Sequence, residues 1–187
     1  AEHDPIYEPM AVNYFEHFLN TAHPMTNMSG AGIDLWDERD QFFYDVIHLS
    51  SGENIPLKIR TMVGLSPLFA VLAFHPRRFS HRSMVIDRLR WLESRRPDLF
   101  KLVASMTVPG KDDSRLVALL HDEKLKLVLR RMFDANEFLS DYGIRSVSAY
   151  HRDHPYVFDA GGHQFTVKYL PAESDSRLFG GNSNWRG

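Results

Sequence analysis

The chain has 187 residues, of which 43% are hydrophobic and 25% are charged, and its formal net charge is -2 at pH 7. This composition is typical of a soluble globular domain, and its near-balanced charge excludes a broad basic field for a nucleic-acid backbone. The chain has no cysteine, which excludes disulfides, thiolate nucleophiles and cysteine-based zinc sites. The longest apolar run, MVGLSPLFAVLAF, is too short to span a bilayer. We therefore expect a cytoplasmic protein without nucleic-acid or membrane partners.

Both ends of the chain predict a longer protein. The first residue is Ala1 rather than methionine, and no targeting pattern follows it. The last residues, FGGNSNWRG, crowd glycines and amides around a tryptophan and an arginine, with no pattern that closes a helix or strand. We expect residues 1–187 to be a single partial domain that is truncated at both ends.

The first predicted elements are a helix and a hairpin. Apolar residues recur at helical spacing from Ile6 to Met25, and Pro9 suits a first helical turn. The segments FFYDVIHL and NIPLKIR have strand composition, and SSGE between them predicts a hairpin with Gly52 in the turn. Thr61 is then expected to cap an apolar helix that is enclosed on most sides.

Two amphipathic helices and a second hairpin follow. Helical periodicity runs over residues 79–95, where it stops before Pro97, and again from about Asp122 to Leu139. The segment YVFDAGGHQFTVKYL predicts a hairpin turned at its two adjacent glycines. Arginines between residues 77 and 96 are interleaved with acidic residues, which favours a solvated helix face over a nucleic-acid site. Helices are expected to dominate the fold.

The connecting segments are the candidates for function. LWDERDQFFYD, SDYGIRS, AYHRDHPY and FGGNSNWRG each combine an aromatic ring with charged or amide groups. Such sets suit a polyhydroxylated ligand, because the ring packs on the C–H face of a sugar while the polar groups bond its hydroxyls. An oligosaccharide or glycoside is therefore the expected partner, with no cofactor.

Several of these segments resemble those of a known enzyme family. LWDERDQFFYDVI, IPLKIRTMVGLSPLFAV, FLSDYGIRSVSAYH and SRLFGGNSNWRG are similar to stretches of bacterial proteins of glycoside hydrolase family 63, the group related to processing alpha-glucosidases and mannosylglycerate hydrolases. The likeness extends over essentially the whole chain. It implies a mainly α fold, part of an (α/α)6 barrel with inserted β-hairpins, and hydrolysis of alpha-glycosidic bonds with inversion. A partial ring of this kind would expose helix faces, so self-association is also expected.

The resemblance further implies where the chemistry occurs. An inverting enzyme needs a general acid and a general base about 6.5 to 9.5 Å apart. In relatives, the acid precedes the counterpart of the first helix and the base follows the tryptophan motif, so both should lie outside this chain. This chain should then bind sugar without cleaving it, with Trp185 as a stacking platform. The residues expected to line the cleft are Trp36, Asp37, Asp40, Tyr142, Arg145, Asn184, Trp185 and Arg186.

Each site has a plainer interpretation. Trp185 is also suited to anchoring a core, and Asp37 and Asp40 to forming a turn or helix cap. The alternative for YGIR is a helix end closed by glycine, with a buried partner for Arg145.

The loops also contain potential metal ligands, and a second function fits the same residues. Asp34, Asp37 and Asp40 lack the spacing of a calcium loop. His151 and His154 could ligate a metal, but without a third ligand an exposed polar turn is favoured. The competing functional hypothesis is a non-catalytic helical module that binds a carbohydrate or a protein through the aromatic loops.

Overall fold

The computed structural model describes residues 4–26, 35–78, 83–100, 108–120 and 122–171. Within these ranges the α-helices are α1 (Glu8–Thr26), α2 (Met84–Arg95), α3 (Pro97–Phe100) and α4 (Asp122–Met132). The strands are β1 (Trp36–Asp37), β2 (Phe42–Phe43), β3 (Asp45–His48), β4 (Asn54–Leu57), β5 (Val71–Phe74), β6 (Arg115–Ala118), β7 (Leu139–Ser140), β8 (Gly143–Ile144), β9 (Tyr156–Ala160) and β10 (His163–Val167). Short 3-10 helices lie at Pro5–Tyr7, Met62–Phe69, Pro76–Arg78, Lys111–Asp113 and Ala149–Arg152.

The fold mixes helices with small sheets, so the prediction of a mainly α (α/α)6 barrel is wrong. The strands described pair in twos, and every pair is antiparallel: β1 with β2, β3 with β4, β5 with β6, β7 with β8, and β9 with β10. The pair β5–β6 shows why the prediction failed. Its first strand, VLAF, belongs to the apolar run from which an enclosed helix was expected, but its backbone pairs with a distant segment that local periodicity does not reveal.

The described residues form two compact units. The first contains residues 4–26, 68–78, 83–100 and 108–120, and the second contains residues 35–67 and 122–171. The core of the first unit includes Leu19 and Ala22 of α1, Leu92 of α2, and Val117 and Leu119 in and after β6. Helices α1 and α2 are tied at the start of α2, where the buried Glu8 accepts the Met84 backbone N–H at 2.8 Å.

The core of the second unit is aromatic. Phe42 and Phe138 are fully buried, and their rings stack with centroids 5.7 Å apart. Trp36 packs edge-on against Phe43 across the β1–β2 pair, and Val128 of α4 is also fully buried. These short strands are therefore fixed by the rings they carry, because two-residue pairs supply few hydrogen bonds of their own.

Most of the local predictions are confirmed. Helix α1 lies within its predicted range except for one extra residue, Thr26, at its end. Helix α2 ends before Pro97 as predicted, but it begins only after Ser83, whose hydroxyl accepts the Val85 N–H, and not at residue 79. Both hairpins form, β3–β4 with Gly52 in its turn at φ +86° and β9–β10 with two left-handed glycines at its turn.

Two predicted helices differ from the structure. The helix expected from Asp122 to Leu139 ends at Met132, because Asp134 draws the chain into a turn by accepting the Asn136 N–H on its side chain. Thr61 does cap the next element, since its hydroxyl accepts the Val63 N–H. That element is a 3-10 helix with Pro67 inside it, and Phe69 is 70% exposed, so it is not enclosed on most sides.

Candidate functional site

A cluster of charged side chains surrounds Lys58 in the second unit. The ammonium Nζ of Lys58 lies 2.7 Å from Oδ2 of Asp37 and 3.3 Å from Oδ2 of Asp40. The two aspartates flank the turn between β1 and β2, where the other carboxylate oxygen of Asp37 accepts the Asp40 N–H at 2.7 Å. The turn interpretation of these aspartates is therefore confirmed. Their carboxylates are 22% and 24% exposed, so they remain accessible to a ligand.

The charge state of Asp37 follows from its contacts. Partial burial acts to raise the pKa of Asp37, but the hydrogen bonds from Lys58 and from the Asp40 backbone outweigh it and hold the pKa below its ordinary value. The same hydrogen bond with Asp37 raises the pKa of Lys58. Asp37 is thus ionised at neutral pH and suited to accepting hydrogen bonds from hydroxyl groups, not to donating a proton.

Tyr44 links this cluster to a second, more buried one. Its hydroxyl donates to Oδ2 of Asp40 at 3.2 Å and accepts from Nε of Arg60 at 3.4 Å. Burial raises the pKa of Tyr44 against the opposing effect of Arg60, so the phenol stays protonated and able to donate. Lys58 and Arg60 both lie in the segment that directly follows β4, and one residue separates them.

Glu137 is the centre of the buried cluster. One carboxylate oxygen accepts from Nη1 of Arg60 at 2.7 Å and from Nη1 of Arg131, and the other accepts from the hydroxyl of Ser148. Arg131 also donates to the backbone carbonyl of Asp40. Glu137 is 8% exposed and Ser148 fully buried. The carboxylate is thus satisfied by charged and polar donors, as a buried charge requires.

His151 fixes the backbone of Arg60. Its Nε2 accepts the Arg60 N–H at 2.8 Å, and its Nδ1 donates to the carbonyl of His154 at 2.8 Å. This assigns the neutral tautomer protonated on Nδ1. Burial lowers the pKa of His151, and the positive charge of Arg60 lowers it further. His151 is 2% exposed, so the exposed polar turn that was favoured for it is wrong.

The ring of Tyr150 packs against this network. Tyr150 as a whole is 37% exposed. The guanidinium carbon of Arg60 lies 3.8 Å from the centroid of the Tyr150 ring, and the imidazole of His154 stacks on that ring at 4.3 Å, nearly parallel. Tyr150 therefore belongs to the support of Arg60.

The residues predicted to line the cleft differ in their burial and in their contacts. Asp37 and Asp40 converge on Lys58, whereas Trp36 beside them is only 3% exposed and has Lys124 Nζ 4.9 Å from its ring centroid. Tyr142 is 91% exposed at the turn of the β7–β8 pair. Asn184, Trp185 and Arg186 lie outside the described residues.

Arg145 is occupied by internal hydrogen bonds. Its guanidinium donates to the backbone carbonyls of Ala135, Glu137 and Leu139 and to the hydroxyl of Tyr169. The prediction of a buried partner for this arginine is confirmed, although YGIR forms the turn and second strand of a hairpin and not a helix end. Arg145 therefore stabilises the turn that follows α4.

Sequence reasoning missed most of the network. Lys58, Arg60, Arg131, Glu137 and Ser148 were not singled out. The alternation in IPLKIR, which places Lys58 and Arg60 on one side of an extended segment, was the available signal for two of them. Arg131 and Glu137 have no local signal, since they meet Arg60 only through tertiary contacts.

Two further properties concern the described part of the chain. No group of three or more His, Asp or Glu side chains there is arranged to hold a metal ion. None of its helices combines the length and apolar character needed to cross a membrane.

Comparison with known proteins adds one relative. The chain is 40% identical over 200 aligned residues to the uncharacterized protein YMR196W of Saccharomyces cerevisiae, with all of this chain covered. The chain spans 18% of that protein's length. No family profile matches the chain, and no solved structure matches it.

Proposed function

We propose that this chain forms part of the sugar-binding wall of an inverting alpha-glycosidase, glucosidase-like in specificity. Asp37, Asp40 and Lys58 bind the hydroxyls of an oligosaccharide or glycoside, and Tyr142 and residues 184–186 add further contacts. The general acid and base are supplied by parts of the enzyme outside this chain. The sequence resemblance described above is the reason for naming this class of enzyme.

One observation supports the proposal most directly: two partly exposed carboxylates are held on a single ammonium. A sugar hydroxyl both donates and accepts hydrogen bonds, so it is best bound by a fixed acceptor beside a fixed donor. The turn hydrogen bond from Asp40 to Asp37 and the contact of Tyr44 with Asp40 hold the acceptors in place before a ligand arrives. Such preorganisation lowers the entropic cost of binding.

The role of Asp37 and Asp40 is tested in the natural full-length protein that contains this segment. Asp37→Asn and Asp40→Asn should raise KM for alpha-linked glucosides or mannosides roughly tenfold, since a charge-assisted hydrogen bond contributes about 1.5 to 3 kcal/mol. Asp45→Asn, an exposed aspartate on β3, is the matched control and should leave KM unchanged. Unchanged KM in all three variants would contradict the assignment of these aspartates to the sugar site.

The same assay separates the enzyme from the non-catalytic module. Residues 1–187 alone should show no turnover, because proton donation and water activation each contribute a factor of about 10² to 10⁴ and both groups would be missing. Turnover by these residues that disappears in Asp37→Asn would contradict an external acid and base. A full-length protein that binds sugars without cleaving any would favour the binding module.

A further inference from the structure

A separate cavity lies in the first unit, bordered by α1, α2 and α3. Its volume is about 160 Å³. The apolar part of its lining comes from Leu19, Leu92 and Leu99, which are all at most 4% exposed. A water molecule occupies about 30 Å³ of liquid volume, so this space corresponds to about five waters. That is the size of one small ring, not of a chain of rings.

Trp91 forms an open aromatic wall of this cavity. Its side chain is 44% exposed, and the guanidinium carbon of Arg88 lies 4.0 Å from its ring centroid. A group at that distance covers one face of the indole. A neighbouring cavity of about 300 Å³, bordered by Val12 and Met84, also has Trp91 and Arg88 in its wall. The indole therefore lies between two spaces, with part of its surface available to a ligand.

Both arginines of the lining are paired with carboxylates, one in the lining and one beside it. Arg88 donates from Nε to a carboxylate oxygen of Glu16, and Arg96 donates from Nε and Nη2 to Asp98 at 3.0 and 2.7 Å. Each guanidinium thus already faces a carboxylate, which disfavours an anionic ligand. The lining nevertheless presents the carboxylate of Glu16 as an acceptor and the guanidinium groups of Arg88 and Arg96 as donors. The side-chain amide of Asn20 can both donate and accept hydrogen bonds.

We infer that this cavity binds a single neutral pyranose unit. The leucines and the indole suit the apolar C–H face of a sugar ring, and the mixed donors and acceptors suit its hydroxyls. The ion pair between Glu16 and Arg88 joins α1 to α2, so these walls are held in position without the ligand. The inference is independent of the proposed glycosidase, because it uses none of the residues around Lys58 and applies equally to a binding module.

The test follows the indole signals of the chain, because Trp91 lines this cavity whereas Trp36 precedes Asp37 in the second unit. The indole N–H signals of Trp36, Trp91 and Trp185 are resolved by NMR in residues 1–187 and assigned with single Trp→Phe variants. Titration with methyl alpha-D-glucopyranoside should shift the Trp91 signal saturably, with a dissociation constant on the order of 1 mM, as expected for a small polar ligand. A shift confined to Trp36 or Trp185 would support the cleft proposed above and overturn binding here.

Variants on one helix complete the test. Trp91→Leu and Arg88→Ala should each weaken binding of methyl alpha-D-glucopyranoside at least tenfold. Calorimetry measures the affinity of Trp91→Leu, which lacks the indole signal. Arg90→Ala removes an exposed arginine of the same helix, paired with Asp87 and absent from both cavity linings, and should bind as the unaltered chain does. Because Trp91 is half exposed, its replacement should leave the fold intact even if Arg88→Ala does not. Equal affinity in Trp91→Leu and Arg90→Ala, or no saturable response at all, would overturn the inference.

Discussion

The buried carboxylate of Glu137 accepts hydrogen bonds from three different side chains. Two arginines and a buried serine donate to it, and its own backbone carbonyl accepts the Ala149 N–H at 2.9 Å. The arginines come from different segments, one following β4 and one from the last turn of α4. One buried carboxylate therefore joins three parts of the second unit, and its removal would leave two guanidinium groups without their acceptor.

Glu137→Ala is expected to lower the free energy of unfolding by about 3 to 5 kcal/mol, since removing one member of a buried charged group leaves the others uncompensated. The matched control is Glu123→Ala, which removes an exposed glutamate paired with Lys126 and should cost less than about 1 kcal/mol. Urea denaturation of both variants measures the difference. Similar losses in the two variants would show that the Glu137 contacts add nothing beyond a surface pair.

His151 should make stability depend on pH. The pKa of His151 in the folded protein is below the ordinary 6.5, so below pH 6.5 the unfolded chain binds this proton more readily than the folded chain does. The charged and titratable groups around His151 are Arg60, Glu137 and His154. Stability contributed by neutral His151 is complete above pH 6.5 and is lost as pH falls toward the folded pKa, with a slope of at most about 1.4 kcal/mol per pH unit.

The variant His151→Gln tests this prediction, because the amide oxygen can accept the Arg60 N–H without titrating. Thermal unfolding between pH 5 and 7.5 should show a flatter dependence in the variant than in the unaltered chain. His163→Gln replaces an exposed histidine of β10 and should retain the original slope. If the melting temperatures of His151→Gln and the unaltered chain fall in parallel as the pH is lowered, His151 is not the source of the pH dependence.

At the level of elements, the 3-10 helix Met62–Phe69 packs against the β1–β2 pair through Gly64. A Cβ atom on Gly64 would lie 2.6 Å from both the Phe43 carbonyl oxygen and Cζ of Phe42. Both neighbours are buried and cannot move away at low cost. The absence of a side chain at Gly64 is thus what allows the helix to approach the strand backbone.

Gly64→Ala is therefore expected to lower the free energy of unfolding by about 1 to 3 kcal/mol, the usual cost of overpacking a core. At Gly110 a Cβ would meet the hydroxyl of Ser114 at 3.0 Å, a contact that rotation of that side chain relieves. Gly110→Ala should consequently cost much less, and thermal denaturation compares the two. A larger loss at Gly110 would show that the packing at Gly64 is looser than described.

At the level of the whole molecule, the two units have different kinds of core and different candidate ligand sites. The first has an aliphatic core beneath α1 and α2 and carries the cavity at Trp91. The second has aromatic rings and the ion network around Glu137. The α1 helix exposes Met10 and Tyr14, and self-association through such helix faces stays a prediction.

Local pattern by itself determined the elements whose causes are local. The two longer hairpins follow from strand composition on either side of glycine turns, and α1 and α2 follow from apolar spacing with a proline or serine at their ends. The pairing of Asp37 with the Asp40 backbone is likewise a short-range property of an aspartate-containing turn. Each of these interactions spans only a few residues, so its partners are visible in one stretch of sequence.

Only the tertiary structure decided the fold class and the content of the charged network. Strand β5 exists because β6 supplies its hydrogen-bonding partners, and Arg60 meets Glu137 and His151 across 77 and 91 residues of chain. The burial of Trp36 likewise depends on its packing with Phe43, its cross-strand neighbour. Periodicity predicts which face of a segment is apolar. Which residues cover that face, and which groups pair with a charged side chain such as Arg60, depends on the packing of segments distant in sequence.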